Sequence, residues 1–201
     1  MNGDVRCDGR GEPAAGRGDP AGRGHALSAV SGGAAPVRDR PYRTVRGVGA
    51  DTVTVTPRRA RCRDCSATQI LLPTELVLRR ADSTEAIGAA LVARARGAGY
   101  RSIAASFERP ESTVRRWLRA AREPHAQWLY RRGVDYAVLI DRELLVRPAA
   151  QQTTLGHALN LLAGAAVRFR ECFGRCDSVW SLIGFFAGGR LLAAPRSPLR
   201  S

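Results

Sequence analysis

YRSIAASFERPESTVRRWLRAAR, from Tyr100 to Arg122, is the stretch whose reading decides the fold of this chain. Ile103, Ala104 and Phe107 recur at helical spacing; Pro110 interrupts, and Val114, Trp117 and Leu118 then recur in the same way. Apolar residues three and four apart mark one face of a helix. Two such faces around a short turn describe two short helices sharing a small core, the pattern of a helix-turn-helix. Ala104 is small where the helices must approach closely, and Pro110 suits the first turn of the second helix, where a missing N–H costs nothing. The expected helices run from about Arg101 to Phe107 and from Pro110 or Glu111 to about Arg122. Such a turn favours glycine where this chain has Glu108, and a side chain held at positive φ costs about 1 kcal/mol. The turn is therefore expected to be loosened or its angle altered.

What remains outside the small core carries the function. Ser112, Thr113, Arg115, Arg116 and Arg119 fall on the outward face of the second helix, and Arg101 and Arg122 bracket the pair with further positive charge. Arginine grips phosphate through two parallel N–H donors and reads guanine edges in the same way. Hydroxyls at the start of a helix can meet phosphate oxygens. These residues point to double-stranded DNA. The competing reading is a non-DNA helical interaction module, a hairpin whose basic face is merely solvated.

The charge balance agrees with a polyanionic partner. All 32 basic residues are Arg, against 18 acidic ones, giving a formal net charge of +14. GC-rich coding favours Arg codons but does not by itself create an excess of positive over negative charge. Aromatic residues make up only 6 % of the chain, so its core is expected to be Ala, Val and Leu in close-packed helices.

Outward from this unit the composition changes in steps. Residues 1–36 are Gly, Ala, Arg, Pro and Asp with few large apolar side chains, too few to offset ordering entropy, and are expected to be disordered. In residues 37–73 the period becomes two. Thr52 to Thr56 alternates as a strand, with Tyr42 to Val48 as its hairpin partner, turning at Gly47 to Asp51. Residues 82–123 are helical: Asp82 or Ser83 caps a helix with Ile87, Leu91 and Val92 on one face, Gly97 and Gly99 end it, and the helix-turn-helix comes next, stopped by Pro124. Residues 125–192 read as three more helices, at Ala126 to about Val146, Leu155 to about Phe173 and Ser178 to about Ala187. Leu155, Leu159, Leu162, Ala166 and Phe169 form a stripe, expected in the core; if exposed, it would make a homodimer. Residues 193–201 read as a tail. The fold class expected is mainly α: a three-helix helix-turn-helix unit, a small β-hairpin before it and helices after it.

Cys62 and Cys65 enclose two residues after a strand, the spacing of half a zinc site. Cys62-Arg63-Asp64-Cys65, Leu71-Leu72-Pro73, Ile87 to Leu91, Arg109 to Leu118 and Ala187 to Leu192 together resemble an uncharacterised actinobacterial helix-turn-helix domain family. Its members look like the front ends of insertion-sequence transposases, a zinc ribbon followed by a helix-turn-helix. The resemblance covers about Val37 to Leu192 and implies DNA binding as a mobile-element accessory or remnant; a transcriptional regulator is the alternative. The family pattern implies a second pair of cysteines upstream, where this chain has only Cys7 and His25. Three readings stay open: a ribbon that lost its metal, Cys7 and His25 as improvised ligands, or a beginning altered by a shifted reading frame. The last is preferred, and no cofactor is expected beyond a possible zinc at Cys62 and Cys65. Cys172 and Cys176, four apart near a helix end, read as thiols packed against the last helix, with a ligand pair on one helical face as the alternative.

No catalysis is expected. A transposase centre needs an acidic triad on a long β/α region, and the part after Arg122 is short and helical. Asp135, Asp141, Glu143 and Asp177 are scattered, Gly188-Gly189 is not followed by Lys-Ser/Thr, and His125 and His157 lack a spaced nucleophile. The start of the chain lacks the apolar run of a secretory signal, and the odd count of five cysteines is not a disulfide framework; a cytoplasmic protein with no membrane partner is expected.

Overall fold

The computed structural model describes residues 34–37, 42–62, 66–71, 73–146 and 148–193. The expectations for residues 1–33 and 194–201 lie outside them. Strand β1 (Ala34–Val37) begins inside the segment expected to be a disordered tail, because its backbone pairs with β4 (Arg58–Cys62). β4 pairs in turn with β5 (Thr68–Leu71), giving an antiparallel sheet in the order β1-β4-β5. Between β1 and β4 the chain makes the separate hairpin β2 (Arg43–Arg46) with β3 (Thr52–Val55), paired Arg43 to Val55 and Arg46 to Thr52. That hairpin lies where the Thr/Val alternation placed it, and Gly49 takes a φ of 62° in its turn.

The rest of the described chain is helical. Helix α1 (Thr84–Ala95) is capped by Ser83, whose side chain accepts from the Ala86 amide, and ends at Gly97 in the left-handed conformation. Helices α2 (Tyr100–Ser106) and α3 (Glu111–Ala120) come next. Helix α4 (Glu123–Ile140) begins at once, so Pro124 sits in its first turn: proline starts the next helix as well as ending the previous one. The single helix expected from Ala126 to Val146 is broken at Asp141, which is extended, and a short α5 (Glu143–Val146) succeeds it. Helix α6 (Thr154–Phe173) is capped by Thr153 and α7 (Val179–Phe186) by Ser178.

α4 and α6 run parallel. Thr154 donates to Glu123 at one end, Gly133 lies against Leu161 midway, and Arg168 pairs with Asp141 at the other end. The connection through α5 must therefore travel back along the pair, which is why the helix breaks at Asp141. The stripe of Leu155, Leu159, Leu162 and Ala166 is buried inside the chain, with Phe169 packed on its margin. This stripe is core, and is not exposed for a homodimer. One continuous apolar core joins Ile87 and Leu91 of α1, Ile103 of α2, Trp117 of α3, Leu162 of α6 and Phe186 of α7. Close approach is enforced at Gly184, where an added Cβ would stand 2.3 Å from the Thr74 carbonyl oxygen.

The end of the described chain is tied back at His125. Its Nε2 lies 2.8 Å from the Leu191 carbonyl and so carries the ring proton, its ring stacks on Trp128, and Nδ1 is buried without a hydrogen-bond partner among the described residues. Burial holds the imidazole below its ordinary pKa. A depressed imidazole is neutral in the folded state, so the unfolded chain binds more protons below about pH 6.5. The stability this group contributes is full above that pH and is lost as pH falls. The prediction is that the urea midpoint drops between pH 7.5 and 5.0 and that His125→Gln reduces the drop; an equal drop in the variant contradicts it.

Candidate functional site

The turn between α2 and α3 is fixed from both sides. Glu108 takes a φ of 51°, the left-handed conformation that glycine adopts most readily. The turn is nevertheless well made: the Glu108 amide donates to Ala105 and the Arg109 amide to Ala104, the reciprocal pair that closes a helix C-terminus. The loosening expected from Glu108 is absent, and the strain is held in place by its neighbour Arg109.

Arg109 turns inward, and its side chain is only 6 % exposed. Its Nε donates to Asp82 Oδ1 at 2.9 Å, while Nη2 donates to the Gly47 carbonyl at 2.7 Å and Nη1 to Phe107 at 3.0 Å. Asp82, whose side chain is 3 % exposed, also accepts from Arg46 Nη2 at 3.0 Å. Backbone bonds from Arg46 to Ala81 and from Ser83 to Arg46 stitch the same place. One buried carboxylate thus joins the β2–β3 hairpin, the entry to α1 and the turn before α3. Asp82 was a candidate cap in sequence; Ser83 takes that role, and its neighbour's carboxylate is left for arginine. Arg109 could not be singled out among 32 arginines, because its burial depends on a hairpin about 60 residues away, a separation bridged by its bond to Gly47.

This frame presents α3. Val114 and Trp117 are buried, as are Ile103 and Ala104 of α2, while Phe107 and Leu118 pack on the margin of the core. All six residues expected in the shared core of the two helices therefore meet there. On the other face Ser112, Arg115, Arg116, Arg119 and Arg122 are exposed and Thr113 is half-buried. Arg116, Arg119 and Arg122 form no salt bridge among the described residues. α3 is shorter than expected, ending at Ala120, so Arg122 lies in the link to α4 as its N-cap. Glu108 and Glu111 are exposed beside the start of α3, which puts the positive charge in its later turns.

Tyr100 is a site residue that sequence spacing did not single out. Its hydroxyl accepts from Arg101 Nε at 3.1 Å and from Arg115 Nη2 at 3.2 Å, and the Arg115 guanidinium lies 4.6 Å from its ring centre. These guanidinium donors hold the phenol below its ordinary pKa, Arg115 more than Arg101. An aromatic residue opening a helix before an arginine was the available signal, and it reads equally as core.

Of the expected metal pair, Cys62 alone lies among the described residues. Cys62 is the half-buried last residue of β4, and Cys65, Cys7 and His25 lie outside the described residues. No group of three or more potential ligands occurs among the described residues. The expected Cys172 and Cys176 are exposed at the end of α6, against the expectation of packing. The scattered acids Asp135, Asp141 and Asp177 are ion-paired with Arg132, Arg168 and Arg175. No helix among the described residues is long and apolar enough to cross a membrane.

Comparison with models of known families, with curated proteins and with solved structures finds no match.

Removing one member of a buried ion pair leaves the other charge without compensation, at a cost of about 3–5 kcal/mol. Asp82→Ala is expected to lower unfolding stability by that order, measured by urea titration, whereas Glu108→Gly is expected to raise it by about 1 kcal/mol through relief of the positive φ. A neutral Asp82→Ala contradicts the role given to the lock.

Proposed function

We propose that this chain is a DNA-binding protein in which α2, the Glu108–Pro110 turn and α3 act as a helix-turn-helix, with α3 as the helix laid in the major groove. The observation that carries the reading is the outward face of α3: Arg115, Arg116 and Arg119, followed by Arg122, exposed on a helix whose opposite face is locked by Trp117 and Val114. A solvated basic face needs no fixed orientation. A face that reads base edges does, because bidentate arginine contacts with guanine tolerate little misplacement. The Asp82–Arg109 lock supplies such an orientation.

In this reading Arg116 and Arg119 face the bases, Arg115, Arg122 and Arg101 grip phosphates, and Ser112 and Thr113 make minor contacts near the two carboxylates. Ile103, Ala104, Phe107, Val114, Trp117 and Leu118 hold the angle between the helices. The chain has no catalytic role here and fits an accessory or remnant of a mobile element; a transcriptional regulator would use the same surface. Cys62 and Cys65 are kept as half of a degenerate ribbon, with zinc not required for α3 to bind.

Duplexes selected from a random pool give the site and the reference affinity. Arg116→Ala is expected to cost about 1–3 kcal/mol and to relax preference at one position. Arg122→Ala is expected to weaken binding evenly across sequences and to lower the salt slope by about 1. Absence of duplex binding by the wild-type chain even at low salt contradicts the reading and favours the interaction module.

A further inference from the structure

Beside the outward face of α3 lies an open cleft of about 420 Å³ between the end of α1, the start of α2 and the side of α3. Arg94, Tyr100, Arg115, Leu118, Arg119 and Arg122 line it. Among the described residues the lining includes four arginines and no carboxylate. Leu118 gives it an apolar wall, and a cleft lined by one sign of charge draws counter-ions toward it.

The cleft is built rather than incidental. Like charges repel, yet Arg101 and Arg115 are drawn onto one oxygen, the Tyr100 hydroxyl, by hydrogen bonds of 3.1 and 3.2 Å. Arg115 is held besides by the face of the ring, at 4.6 Å. Among the described residues, the acid that acts on this group is Glu111, through its charge on Arg101. With two N–H donors on its oxygen, the phenol keeps its own hydrogen to donate. A tetrahedral oxyanion would satisfy this donor and the guanidinium donors together.

We infer that this cleft is a phosphate cradle, in which Tyr100 positions Arg115 and Arg94 closes the side opposite α3. It receives a backbone phosphate beside the groove entered by α3, and so rests on the DNA-binding reading. The same chemistry would accept a free polyphosphate. Arg94 and Tyr100 are the new members, and neither belongs to the reading face of α3. Tyr100 acts as a positioning residue for Arg115 and as a single donor.

The test compares the full chain with Arg94→Gln and Tyr100→Phe, using a selected duplex in one arm and sodium tripolyphosphate in the other. Circular dichroism checks that each variant is folded; both positions are at the surface or half-buried. Arg94→Gln is expected to reduce the salt slope on duplex by about 0.9, the loss of one phosphate contact. Tyr100→Phe keeps the ring and every charge, and is expected to weaken binding about tenfold at an unchanged slope. Duplex binding with wild-type affinity and slope in both variants overturns the cradle while leaving the proposed function standing. If the wild-type chain binds no duplex, the proposed function fails and tripolyphosphate decides. Binding that both substitutions weaken supports the cradle as a site for free polyphosphate. No binding, or binding that neither substitution weakens, overturns it.

Discussion

The contact between Asp82 and Arg109 is the constraint on which the rest of the arrangement depends. Two charges removed from water cost several kcal/mol each to desolvate, and they persist here because both are held by several hydrogen bonds. Such a pair is a weak source of net stability compared with apolar packing. What it supplies is geometry. The hairpin, the first turn of α1 and the turn before α3 cannot slide past one another without leaving a charge unpaired. The same lock accounts for Glu108, since a residue in the left-handed region persists only where its surroundings over-determine it.

From that fixed point the two faces of α3 acquire different roles. Trp117 and Val114 join a core continuous with α1, α2, α6 and α7, so the angle of α3 is set by the whole helical body. The arginines opposite are set by the lock and, at Arg115, by Tyr100. Arg94, Arg115, Arg119 and Arg122 line one cleft, and an anion entering it would offset their mutual repulsion. The chain carries +14 overall, but that excess says only that a polyanion is a suitable partner; the fixed arrangement on α3 is what suggests a duplex.

Much of the fold was legible because local rules agreed with tertiary ones. Ser83 and Gly97 mark the ends of α1, and the stripe from Leu155 to Ala166 falls in the core as its spacing requires. The Thr52 to Val55 alternation became a strand in the expected hairpin. The failures share a cause in long-range contact. β1 could not be read from Ala34–Val37 because only its pairing with β4 makes it a strand. The break at Asp141 arises from the parallel course of α4 and α6, which helix periodicity cannot encode. On α3 the exposure of Ser112, Arg115, Arg116 and Arg119 was legible from spacing, whereas Thr113 is half-buried and Arg122 lies past the end of the helix. Arg109 and Tyr100 were not, since the burial of one and the contact of the other with Arg115 depend on residues brought in by the fold.

In the proposed DNA-bound state the outward face of α3 and the start of α2 meet the duplex, while α4, α5, α6 and α7 only support them. Backbone hydrogen exchange of the full chain, with and without a selected duplex, tests this most directly. Exchange is expected to slow through Tyr100 to Arg122, with α4 and α6 unchanged. Protection confined to α4–α7, or none in α3 at a duplex concentration that saturates the chain, would contradict it.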